Sequence, residues 1–101
     1  MTNYKLTIQY DGTRYFGWEH QPDKETIQGK LEDAFEKSLG IPKSAFKIIG
    51  AGRTDAGVHA LEMTANVVLD IEIPETTLRD KLNSNLPSDI AILSVRIASE
   101  R

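Results

Sequence analysis

The stretch Leu61-Glu62-Met63-Thr64-Ala65-Asn66-Val67-Val68-Leu69-Asp70-Ile71 decides how this chain folds. Leu61, Met63, Ala65, Val67, Leu69 and Ile71 recur at every second position, which is the period of a strand with one buried face. Working outward, the period changes on both sides. Upstream, a glycine-rich loop (Gly50 to Ala60) connects this strand to a short β-branched run, Phe46 to Gly50. Before that, Ile27, Leu31, Ala34, Phe35, Ser38 and Leu39 follow at spacings of three and four. They form one stripe of a helix over Thr26–Leu39, stopped by Gly40 and Pro42. At the start of the chain Tyr4, Leu6, Ile8 and Tyr10 alternate with Lys5, Thr7 and Gln9, predicting a first strand that ends at the turn signal Asp11-Gly12. Downstream, Pro74 opens a second helix, whose Leu78, Leu82, Asn85 and Leu86 lead up to Pro87. Asp89 then precedes a last strand in which Ala91, Leu93, Val95 and Ile97 share one face.

The predicted order is β-α-β-β-α-β, the α+β arrangement called ferredoxin-like, with a four-stranded antiparallel sheet. Right-handed crossovers place both helices on one side of that sheet. The other side carries Lys5, Thr7, Gln9, Thr64 and Asn66, a polar face that is either simply solvated or open to a ligand.

Composition narrows the function classes. The 101 residues hold 12 Lys and Arg against 15 Asp and Glu, a net charge of −3, with 40% apolar and 27% charged residues. That is the profile of a single soluble domain. With no cysteine there is no disulfide, thiol nucleophile or Cys-based zinc site. The longest apolar run is Ile90 to Leu93, far short of a membrane span, and Met1 to Gly12 lacks the hydrophobic block of a signal peptide. A cytoplasmic protein is the default. The acidic balance requires any nucleic-acid affinity to come from a local cluster of basic residues.

The densest unusual segment is Gly50-Ala51-Gly52-Arg53-Thr54-Asp55-Ala56-Gly57-Val58-His59-Ala60. It is not a Walker loop, because Val58-His59 stands where Lys-Ser/Thr is required after the spacer. It is not a dinucleotide fingerprint either, since Asp55 occupies a glycine position and would repel a pyrophosphate. Although RNA-recognition domains share the fold, Leu61 to Ile71 has no aromatic residue on which a base could stack. His20 and His59 lack acids at zinc-ligand spacing, so no metal is expected. What remains is Asp55 two residues from Arg53 in a loop beside the open face. One reading is a surface turn with Asp55 bonded to backbone amides. The other is a carboxylate kept ionised by a neighbouring guanidinium, which suits a nucleophile or base.

The wording of that loop is similar to the signature of the TruA family of tRNA pseudouridine synthases. Further resemblances flank it: Tyr10-Asp11-Gly12-Thr13 with Tyr15, Gly17-Trp18 and Gln21-Pro22; Thr26-Ile27-Gln28-Gly29 with Leu31-Glu32; and Leu82-Asn83 with Leu86-Pro87 and Asp89-Ile90. Two places depart. Glu19-His20 stands where Gln-Arg is usual, weakening one expected phosphate contact, and Glu62-Met63-Thr64 replaces a Gly-Gln-Val type segment.

The resemblance implies isomerisation of uridine to pseudouridine in the anticodon stem-loop of tRNA, at positions 38 to 40, without metal or organic cofactor. It makes Asp55 the catalytic aspartate and Arg53 the group that braces the site as the base is flipped out. Thr54, His59 and Arg14 are the remaining candidate RNA contacts; His59 reads first as an anchor for its own loop and only second as an RNA contact, and Arg14 reads equally as a solvated side chain. Trp18 is expected to pack beside the loop. Members of the family have a second, homologous C-terminal half and assemble as homodimers, so residues 1–101 are expected to be the N-terminal catalytic half, inactive alone. Two rivals stand beside this reading. One is a stand-alone ferredoxin-like module that binds RNA or protein without chemistry. The other is a small acylphosphatase-like hydrolase, for which Asp11-Gly12-Thr13-Arg14 supplies the arginine but not the rest of the anion cradle.

Overall fold

The computed structural model describes residues 1–52 and 54–98. Strand β1 (Thr2–Tyr10) leads through a single 3-10 turn at Gly12–Arg14 and a long loop into helix α1 (Ile27–Leu39). A second 3-10 turn, Lys43–Ala45, precedes the short strand β2 (Ile48–Gly50); β3 (Ala60–Leu69), α2 (Glu75–Ser84) and β4 (Ile90–Ala98) complete the chain. The strands form one antiparallel sheet in the order β2-β3-β1-β4. This is the expected α+β ferredoxin-like topology.

Local chemistry sets the helix ends. The Thr26 hydroxyl accepts the Gly29 amide at 3.2 Å, capping the first turn of α1. Gly40 ends that helix at φ 66°, a left-handed conformation that a glycine adopts without strain. Helix α2 is shorter than predicted: it begins after Pro74 and stops at Ser84, because Asn85 and Leu86 already turn back on Leu82 and Asn83. Likewise β2 contains only the last three residues of the predicted Phe46–Gly50 run; Phe46 packs its ring on Phe35, with centroids 5.4 Å apart.

The core lies between helices and sheet. Tyr4, Leu6 and Ile8 of β1 are fully buried, as are Ala65 of β3, Ile27, Leu31, Ala34 and Phe35 of α1, and Leu78 and Leu82 of α2. By alternation Lys5, Thr7, Gln9, Thr64 and Asn66 take the other face, away from the helices, where they are exposed or half-buried. Ile49 pairs with Asn66 and Val68 with Asn3, so this open face also carries apolar side chains.

Two strands depart from simple alternation, both level with the end of β1 where the chain leaves for the first loop. Ile8 pairs with Met63 but Tyr10 with Ala60, so one extra residue is accommodated in β3; Leu61 is thrown outward and is 79% exposed rather than buried with Met63. On the other side, Thr7 pairs with Ser94 and Ile8 with Ile92, leaving Leu93 as an inserted bulge residue. The bulge changes which residues face inward. Ile90, Ile92 and Val95 are buried, whereas Leu93 is 42% exposed, so Ala91 and Leu93 do not share a face with Val95 and Ile97. Ile71 lies beyond the end of β3 and is also exposed.

The outer edge of β4 is covered by α2. Asn83 uses both ends of its amide, accepting the Ile92 N–H at 2.8 Å and donating to the Ile92 carbonyl at 3.1 Å, and Glu75 accepts the Ile97 N–H at 2.7 Å. A side-chain amide thus takes the place of a neighbouring strand at Ile92.

Candidate active site

The end of the sheet at which β1 finishes and β3 and β4 begin carries the first loop (residues 11–26) and the Gly50–Ala60 loop. Asp11 opens the first loop as a cap, its carboxylate accepting the Thr13 amide at 3.0 Å and the Thr13 hydroxyl at 2.6 Å. These bonds hold the Asp11 carboxyl below its ordinary range. Tyr15 turns inward and donates its hydroxyl to Asp89 at 2.7 Å, just ahead of β4. Burial first, and the bond to Asp89 second, push that phenol well above its ordinary range.

The two loops are fastened to each other at three levels. The Gly12 amide donates to Nδ1 of His59 at 2.9 Å, the Gly57 amide to the Tyr15 carbonyl at 3.1 Å, and the Trp18 amide to the Thr54 carbonyl at 3.1 Å. The approach is so close that a methyl on Gly12 would collide with the Val58 carbonyl oxygen, and one on Gly17 would sit 2.6 Å from that of Thr54. Trp18 is buried against Gly50, and its ring lies 6.5 Å from that of Tyr10. It packs beside the loop, as the sequence led us to expect.

Asp55 stands in the turn Asp55–Val58, closed by a 3.2 Å bond from the Val58 amide to the Asp55 carbonyl. The third position of that turn, Gly57, has φ 79°, which disfavours any residue with a Cβ. On the other side of Asp55, the Thr54 hydroxyl is 2.7 Å from the Tyr10 hydroxyl. The backbone on both sides of Asp55 is therefore fixed, while the residue itself is exposed. No hydrogen bond or ion pair to its carboxylate is found among the described residues. It looks into an open cleft of about 360 Å³, bounded by Phe16, Glu19, Gln21, Lys24, Thr54 and Ala56.

The predicted site residues thus separate. Asp55 and Thr54 line the cleft. His59 serves the loop: its Nδ1 accepts the Gly12 amide and lies 3.0 Å from an Asp11 carboxylate oxygen. Arg14 is exposed on the 3-10 turn near Asp11 and Tyr15 and does not border the cleft. Arg53 lies outside the described residues. His20, at the departure from the family pattern, places Nδ1 3.1 Å from a Glu32 carboxylate oxygen.

The sequence reading missed Phe16 and Lys24. Neither falls on a periodic element; the only hint was a second aromatic residue following Tyr15. Among the described residues no group of three or more His, Asp or Glu side chains could hold a metal ion. A carboxylate presented on a rigid turn to an open cleft can attack an electrophilic carbon or take up a proton, and it can do either without a metal.

The family profile described as tRNA pseudouridine synthase matches residues 6–100. The chain belongs to that family. Among curated relatives, tRNA pseudouridine synthase A of Caldicellulosiruptor saccharolyticus is 50% identical over 92 residues, covering 91% of this chain and 36% of the relative. The protein named tRNA pseudouridine synthase A 2 of Clostridium perfringens is 46% identical over 100 residues, 99% of this chain and 40% of its own length. That of Thermodesulfovibrio yellowstonii, named tRNA pseudouridine synthase A, is 47% identical over 95 residues, 94% and 36%. The chain thus spans under half the length of the curated relatives it matches. Both segments fastened together at the site, 10–18 and 50–60, lie inside the matched range.

Proposed function

We propose that residues 1–101 form the N-terminal, aspartate-bearing half of a tRNA pseudouridine synthase acting on uridines 38 to 40 of the anticodon stem-loop. The observation that carries this reading is the presentation of Asp55: an exposed carboxylate, held by a turn that favours glycine at position 57 and by a loop fastened along its length to the segment after β1. In the reaction the bond from uracil N1 to the ribose carbon breaks, the base turns, and its C5 joins the same carbon; C5 then gives up its proton and the freed N1 gains one. Reactants and product are isomers, so no oxidant, reductant or cofactor is required. Asp55 supplies the charged oxygen for this exchange, acting as nucleophile or as base, and Arg53 braces the site from which the nucleotide has been flipped. Thr54 holds the backbone before Asp55 and His59 the end of the loop; Arg14 contacts phosphate outside the cleft.

The cleft supports a division of labour with a second half. Its described lining carries one cationic side chain, that of Lys24. Most of the basic surface that a polyanion requires therefore belongs to the remainder of a longer chain, which assembles as a homodimer in the cytoplasm. The test is to replace Asp55 with Asn in the complete protein and assay an unmodified tRNA transcript for pseudouridine. Turnover should fall to background with tRNA binding largely intact. Substantial turnover by Asp55→Asn would exclude the assignment.

A further inference from the structure

The rim of the Asp55 cleft carries an aromatic side chain that the fold does not use. Phe16 is 49% exposed and takes no part in the hydrophobic core, although all three tyrosines and the tryptophan of this chain do. Its position is nonetheless fixed. The Phe16 amide donates to the Glu25 carbonyl at 2.9 Å, the Phe16 carbonyl accepts from Gln21 Nε2 at 2.9 Å, and the next residue, Gly17, lies tight against Thr54. The Lys24 ammonium stands over the ring, 4.4 Å from its centroid. Keeping a half-bare aromatic ring in water is unfavourable, and here it sits beside an ammonium on the border of the cleft that contains the candidate catalytic carboxylate.

A π-face together with a cation a few ångströms away is the pairing that holds a nucleotide: the ring stacks on the base and the ammonium meets the phosphate. Beside the Asp55 carboxylate a phosphate would be repelled, so the phosphate contact belongs at the Lys24 end of the cleft. We infer that Phe16 and Lys24 form a stacking and phosphate subsite for the nucleotide adjacent to the one presented to Asp55, which fixes the strand while that neighbour is out of the helix. This rests on the proposed reaction for its substrate, RNA. The geometry assigns Phe16 as a positioning residue, because it acts on the neighbouring nucleotide and not on the reacting one.

The experiment uses the complete protein carrying Asp55→Asn, so that binding is measured without turnover, with single-stranded oligouridylate and an unmodified tRNA transcript as probes. Phe16→Leu should weaken oligouridylate binding about tenfold, while Phe16→Tyr should retain it, since only the second keeps a π-face. Lys24→Gln should lower the salt dependence of binding by about one phosphate contact. With Asp55 restored, Phe16→Leu should raise KM for tRNA far more than it lowers kcat. Oligouridylate affinity unchanged in Phe16→Leu, or an affinity loss matched by an equal loss in Phe16→Tyr, would overturn the subsite. So would a fall in melting temperature that parallels the loss of binding, because the ring would then be structural. The two readings fail separately. If the intact protein makes no pseudouridine but binding still needs the aromatic face, the reaction is wrong and the subsite stands. If pseudouridine forms at an unchanged KM in Phe16→Leu, the reverse holds.

Discussion

The Gly50–Ala60 loop has two regions that differ in almost every physical respect. Along one side it is crowded: Thr54, Val58 and His59 meet Gly17, Gly12 and the Gly12 amide so closely that the partner positions admit no Cβ. Along the other side it is open: a methyl added at Gly52 or Gly57 would touch nothing within 4 Å, and Asp55 is exposed. Order in this loop therefore comes from one side only, leaving the carboxylate accessible yet stationary. Substitutions on the crowded side should register as stability and those on the open side as activity.

The largest effect tests the open side. Asp55→Asn in the complete protein should reduce pseudouridine formation to background while thermal unfolding stays within about 0.5 kcal/mol of the parent, the range of exposed substitutions away from special features. A pronounced loss of stability would erase the contrast. Next comes Gly12→Ala, which drives a methyl into the Val58 carbonyl, a backbone atom that can yield only if the loop lifts. We expect a loss of about 2–3 kcal/mol in denaturant unfolding, together with weakened activity as Asp55 moves with the loop.

Tyr15 sharpens the comparison by pH. Burial and the bond to Asp89 hold its phenol protonated in the fold above its ordinary value of 10.0. Its contribution is therefore complete below that value and drains away as the pH rises past it, because the unfolded chain gives up the proton first. Tyr15→Phe should lose about 1 kcal/mol at neutral pH and show a shallower decline of melting temperature on the alkaline side. An identical alkaline slope would remove Tyr15 from the account. The smallest effect is expected for Gly52→Ala, within about 0.5 kcal/mol of the parent in unfolding, against the large cost at Gly12.

How far the sequence could be read depended on whether a single period ran through each element. Tyr4 to Tyr10 and Ile27 to Phe35 each keep one period, and their buried faces are those the pattern predicts. In β4 the pattern misleads for a physical reason. Ala91, Leu93, Val95 and Ile97 alternate perfectly in sequence, yet the inserted Leu93 exchanges the faces partway along, so Ile90 and Ile92 are buried instead. Leu61 was misplaced by the same kind of irregularity in β3. A bulge adds a residue without changing composition, and nothing in the hydrophobic alternation marks it. At the site, Asp55 and its loop were legible because glycines and charges are concentrated there. Phe16 and Lys24 were not, since they belong to a loop without periodicity and come together across eight residues only through its turns.

Trp18 has an optical consequence. It is the only tryptophan of the chain, 3% exposed, with its indole against Gly50 and its amide bonded to Thr54. All indole emission from these residues therefore originates at the seam between the two loops. Its colour reports whether that seam is closed, and its quenching by small solutes reports how often it opens. Lifting of the loop, as in Gly12→Ala, would appear as a red shift of a single fluorophore that nature has already placed one residue from the backbone carrying Asp55.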